Sequence, residues 1–81
     1  MSRMIYCNLK QKDKNSAVYF FGTEIEDITG EVEFYTDFSQ PKILKQPLKN
    51  EVKANIFNKI LIKYKKDFVK GIFNQKISYE T

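Results

Sequence analysis

Eighty-one residues are enough for a single domain, 1–81, and with 42% hydrophobic and 15% aromatic side chains the chain can bury a working core. One cysteine excludes an internal disulfide and so a disulfide-stapled secreted scaffold; no apolar run is long enough for a membrane span and no segment resembles a signal peptide, so a cytoplasmic protein is expected. The net charge of +4 is unevenly divided: residues 1–41 hold 4 basic and 7 acidic side chains, a net of −3, and residues 42–81 hold 10 and 3, a net of +7.

In chain order, residues 3–10 alternate Ile5, Cys7 and Leu9 with Met4, Tyr6 and Asn8, the period of a β-strand. Gln11 to Asn15 is a polar loop short enough for a hairpin. A second strand is expected from Ser16 to about Glu26 and a third from Glu31 to about Phe38, joined by the turn Asp27-Ile28-Thr29-Gly30. With Glu26 opposite Glu31, Ile25 would face Val32 and Phe21 would face Thr36. One side of this hairpin then holds Tyr19, Phe21, Ile25, Val32 and Phe34. The other holds Glu24, Glu26, Glu31 and Glu33 with Val18, Phe20 and Tyr35. Ser39 to Gln46 is a linker containing Pro41, in which Ile43 and Leu44 either pin the chain to the core or form a short edge strand.

From Leu48 to about Lys70, steps of about 100° per residue place Val52, Ile56, Phe57, Ile60, Leu61, Tyr64 and Phe68 on one stripe, and lysines opposite. This predicts one long amphipathic helix opened by Pro47 and stopped by Gly71. Lys53 falls inside the apolar arc. Ile62 falls on the polar one, as a lone exposed aliphatic or as part of a contact surface. Alternation returns after Ile72 and predicts a last strand, best at Lys76–Glu80. The fold class is therefore α+β, in the order β-β-β-α-β: an antiparallel meander with one long helix packed on one face.

The residue types bearing chemistry are sparse. Histidine is absent, one cysteine cannot build a zinc site, and the three glycines form no phosphate loop. Cys7 shares its strand face with Ile5 and Leu9 and reads as a core thiol. Glu24, Glu26, Glu31 and Glu33 read as a solvated acidic face, since hard-cation sites are built from loops with Asp/Asn/Gly spacing. No enzyme, cofactor or metal is expected.

Two binding surfaces remain. Val18, Phe20, Tyr35 and Tyr6 should lie on the sheet face turned away from the helix, where clustered aromatics suit a protein partner or a dimer contact. The alternative is that residues 39–46 or the C-terminal residues fold over them. Lys59, Lys63 and Lys66 could follow a nucleic-acid backbone, but arginine occurs only at Arg3 and the surplus aromatics lie elsewhere. A membrane partner is not expected, because the helix's apolar stripe is needed for the core.

The turn Asp27-Ile28-Thr29-Gly30-Glu31, the lysine-rich helix, Lys70-Gly71-Ile72-Phe73 and Tyr79 together resemble small uncharacterised bacterial α+β proteins. A similar tail in those proteins reads Gly-x-Phe-Pro-Glu, where this chain has Asn74 and Gln75. The resemblance covers the last two thirds of the chain and implies a compact α+β domain with no known activity. Abundant Lys, Asn, Ile and Phe also fit a bacterial or phage source. The expectation is thus a small non-enzymatic interaction module acting through the sheet face, with nucleic-acid binding through the lysine face as the alternative.

Overall fold

Alternating apolar residues draw five strands into one antiparallel sheet, and a helical layer covers one of its faces. The computed structural model describes residues 3–81. Strands β1 (Met4–Lys12), β2 (Ser16–Gly22), β3 (Gly30–Tyr35) and β4 (Lys42–Lys45) form a meander. Helices α1 (Ala54–Lys63) and α2 (Lys65–Val69) cross it, and β5 (Lys76–Glu80) returns beside β1, for the order β4-β3-β2-β1-β5. The core lies between sheet and helices. Ile5, Cys7, Tyr19, Phe21, Val32, Phe34 and Ile77 from the strands meet Phe57, Ile60, Leu61 and Phe68 from the helices. Its centre is aromatic: Phe34 lies 5.8 Å from Tyr19, 6.2 Å from Phe57 and 5.3 Å from Phe68, ring centre to ring centre. The Tyr19 hydroxyl crosses the core to donate to the carbonyl of Asn74 at 2.7 Å.

The linker does contain an edge strand. In β4, Ile43 pairs with Val32 and packs on the core, so the order is β-β-β-β-α-α-β. The helix, too, differs from the expected continuous rod over 48–70. It begins only at Ala54, because the Gln46 amide engages both backbone groups of Val52. Gln46 Nε2 donates to the Val52 carbonyl at 3.0 Å and the Val52 N–H donates to Gln46 Oε1 at 2.9 Å. With its carbonyl taken by Gln46, Val52 does not open the helical ladder, and the Ile56 N–H bonds the Lys53 carbonyl at 3.1 Å instead. A second departure comes at Tyr64, whose φ of −103° and ψ of 16° separate α1 from α2. Its hydroxyl is held by the Ser78 carbonyl at 3.1 Å, beside Lys63 Nζ at 3.2 Å. The helical ends behave as expected at Gly71, where φ is 75°. The Gly71 N–H donates to the Phe68 carbonyl and the Ile72 N–H to that of Asp67, the paired bonds of a Schellman stop.

The β2–β3 hairpin keeps its faces and changes its register. Phe21 faces Gly30 instead of Thr36, and Tyr19 faces Val32. Strand β2 ends at Gly22, and residues 23–29 form a loop containing a short 3-10 turn at Ile25–Asp27. Ile25 is therefore not in the core but 73% exposed. Glu24 and Glu26 likewise leave the sheet, so the four carboxylates do not form one stack.

The loop is held by a buried carboxylate. Asp27 accepts from the Thr29 hydroxyl at 2.7 Å and from the Lys49 N–H at 2.8 Å. Thr29 in turn accepts from the Leu48 N–H at 3.1 Å. The Thr29 hydrogen bond, aided by those from the 48–49 backbone, lowers the Asp27 pKa against the opposing effect of burial. A lowered folded-state value means that this carboxylate stabilises the fold above the ordinary carboxylate range and ceases to do so as pH falls through the folded value. Wild-type melting temperature should thus fall more steeply than that of Asp27→Asn between about pH 4 and pH 2. Parallel acid limbs in the two melting curves would count against this role.

Candidate functional site

Among the described residues, no α-helix lies on the second face of the sheet. Odd-numbered residues of β2 enter the core, so Ser16, Val18, Phe20 and Gly22 point to the open side. Glu31, Glu33 and Tyr35 of β3 and Tyr6 and Asn8 of β1 share it. Lys45 lies opposite Glu31, and Lys42 opposite Glu33, so β4 brings cations to this side.

The four residues expected to form an interaction surface are all on this face, but they do not form one patch. Tyr35 pairs with Ser16 at one end, and Tyr6 pairs with Gly22 at the other. Val18, between them, is only 7% exposed. Phe20 is half-buried beneath Lys10, whose ammonium stands 5.4 Å from the ring centre and 2.9 Å from Glu31 Oε1. The Tyr35 hydroxyl donates to Glu33 Oε1 at 3.0 Å, while Ser16 Oγ donates to Glu33 Oε2 at 2.8 Å. Partial burial, and then the Glu33 carboxylate, raise the Tyr35 pKa. This hydroxyl is a hydrogen-bond donor fixed to the sheet.

At the Tyr6 end the loop 23–29 folds against the open face. A Cβ on Gly22 would lie 1.9 Å from the Asp27 carbonyl oxygen, so the loop backbone rests where that side chain would be. Between loop and sheet runs a groove of about 470 Å³. Tyr6, Asn8, Lys76 and Ser78 form its floor, and Ile25 and Ile28 its wall. Ile25 and Ile28 are the residues that sequence reasoning missed. The available signal was the pair Gly22 and Gly30, which bracket the seven intervening residues as a loop.

Elsewhere, the surface offers less. The Cys7 thiol is buried and its pKa is pushed up to about 12 by desolvation, so it is not a thiolate nucleophile near neutral pH. Among the described residues, no cluster of His, Cys, Asp and Glu could hold a metal ion, and no helix is long and apolar enough to cross a membrane. Of the three lysines considered for nucleic acid, Lys59 and Lys66 point into solvent, but Lys63 is turned back onto the Ser78 carbonyl and lies 5.2 Å from the Tyr64 ring centre and 5.7 Å from that of Tyr79. Compared with known proteins, the chain matches no family model, no curated protein and no solved structure.

Proposed function

We propose that the protein is a small, non-enzymatic interaction module, cytoplasmic in location, that binds a protein partner or a second copy of itself through the open sheet face. The observation that carries this reading is the groove at the Tyr6 end, where an Ile25 side chain 73% exposed stands beside half-buried Ile28 and Tyr6 on a face that no helix covers. An aliphatic wall beside a tyrosine gains by losing water to a partner's side chains, and Lys76 and Asn8 in the floor supply polar direction. Phe20 lies on the same face beneath Lys10. The segregated charge of the two halves of the chain steers the approach.

A photo-crosslinking residue in place of Ile25 should capture a partner or a second copy, and the same residue in place of Lys14, at the tip of the β1–β2 hairpin, should not. Tyr6→Ser with Ile28→Ser should reduce capture about tenfold while the circular dichroism spectrum is retained. Capture that is equal at both positions, or indifferent to the serine substitutions, would sink the reading. Nucleic-acid binding through Lys59, Lys63 and Lys66 is the less supported proposal, because Lys63 is occupied at the β5 edge.

A further inference from the structure

The outer side of the helical layer carries apolar side chains of its own. Ile62 is 73% exposed, Val69 55% and, just beyond Gly71, Ile72 46%. Ile62 and Val69 are separated by two helical turns, and the turn at Tyr64 does not break their phase: the Tyr64 N–H still donates to the Ile60 carbonyl and the Phe68 N–H to that of Tyr64. Both therefore lie on the side opposite buried Phe57, Ile60, Leu61 and Phe68. Lys59 lies three residues from Ile62, and Lys66 four from Ile62 and three from Val69, so both share that side, while Lys70 follows Val69 at the helix end. Asp67 is the one acid between Ala54 and Lys70. Among the described residues, none of these three lysines forms an ion pair.

One exposed aliphatic is ordinary on a solvated helix back, but Ile62 and Val69 stand two turns apart on one side with Lys66 between them. A polyanion would satisfy the lysines and leave Ile62 and Val69 in water. Nor does this face hold an arginine, the preferred reader of nucleic acid. The surface that answers both chemistries is anionic at its skin and apolar just beneath, which describes phospholipid headgroups over acyl chains. The expectation against a membrane partner concerned the apolar stripe that faces the core, and Ile62 and Val69 lie outside that stripe. We propose that the outer face of α1 and α2 docks on a bilayer rich in anionic phospholipid, with both helices parallel to the surface, Lys59, Lys66 and Lys70 among the headgroups and Ile62 and Val69 between them. The open sheet face then points away from the bilayer, so this docking stands independently of the partner groove.

The test is co-sedimentation of the full chain with vesicles of phosphatidylcholine alone and of phosphatidylcholine with phosphatidylglycerol, at low and near-physiological salt. Binding should require phosphatidylglycerol and weaken with salt. Each lysine near such a surface strengthens binding roughly fivefold, so Lys59→Glu with Lys66→Glu should weaken it by at least about 25-fold. Ile62→Ser with Val69→Ser should weaken it about tenfold, with the melting temperature of both variants close to wild type. Equal sedimentation with neutral vesicles, no sedimentation at low salt, or no loss in the lysine variant would overturn the proposal. So would an intact affinity in the serine variant, or tighter salt-sensitive binding to an oligonucleotide than to the vesicles, since either outcome would make the face a general polyanion site.

Discussion

Phe34→Ala should lower the stability of the protein by about 3–5 kcal/mol, measured by urea unfolding. A domain of this length has roughly 4–12 kcal/mol in total, so a substantial fraction of the variant should be unfolded at moderate temperature. Phe34 is fully buried and its ring touches the β2 tyrosine, α1 and α2 at once, through Tyr19, Phe57 and Phe68. Alanine leaves a cavity that neither the sheet nor the helices can close without moving against each other. The neighbouring Tyr35→Ala is the internal control. Its side chain lies on the open face, and its removal should cost much less. Equal losses for the two variants would mean that the face assignment of β3 is wrong.

Gly22→Ala has a different outcome, because what opposes the new methyl group is backbone. The added Cβ would lie 1.9 Å from the Asp27 carbonyl oxygen and 2.8 Å from its carbonyl carbon, and no rotamer change can relieve that overlap. The loop 23–29 must lift, which strains the Asp27 bonds to Thr29 and Lys49. The expected loss is about 2–4 kcal/mol, from overpacking and from hydrogen bonds left unmade. Amide chemical shifts should move in 23–29 and 46–50 while the β1–β5 pairing persists. The groove wall moves with the loop, so crosslinking through position 25 should fall as well. An alanine variant with wild-type stability and an unshifted loop would show that the Asp27 carbonyl does not lie over Gly22.

The faces of the strands were legible in the sequence, but their register was not. Moving the partner of Phe21 from Thr36 to Gly30 is a shift by an even number of residues, and such a shift leaves every side chain on its own side. Binary pattern therefore placed Tyr19, Phe21, Val32 and Phe34 in the core even though the turn at Asp27–Gly30 had been assigned the wrong job. Asp27 does not begin a tight hairpin turn; it ties a longer loop to residues far along the chain, an interaction that no local pattern encodes. The start of the helix was hidden for the same reason. Val52 fits the apolar stripe, but its backbone groups pair with the Gln46 amide ahead of the helix, and side-chain to backbone pairing across six residues leaves no periodic trace. Of the candidate site, Tyr6 and Phe20 were legible from alternation alone. Ile25 and Ile28 were not, because their position depends on where β2 ends.

The bonds at the Ser78 carbonyl bear on how the sheet could grow. The N–H of Leu9 bonds the carbonyl of Gln75 and the N–H of Thr81 that of Arg3, so odd-numbered residues of β5 are the ones turned toward β1. The Ser78 carbonyl faces the other way, along the edge where a foreign strand would add, and two donors from the end of the helix already occupy it. Strand addition there would have to displace Tyr64 and Lys63 from that oxygen. The opposite edge is short and carries Lys42 and Lys45, which repel their own kind on a second copy. Edge-to-edge polymerisation into fibrils is thereby opposed on both sides.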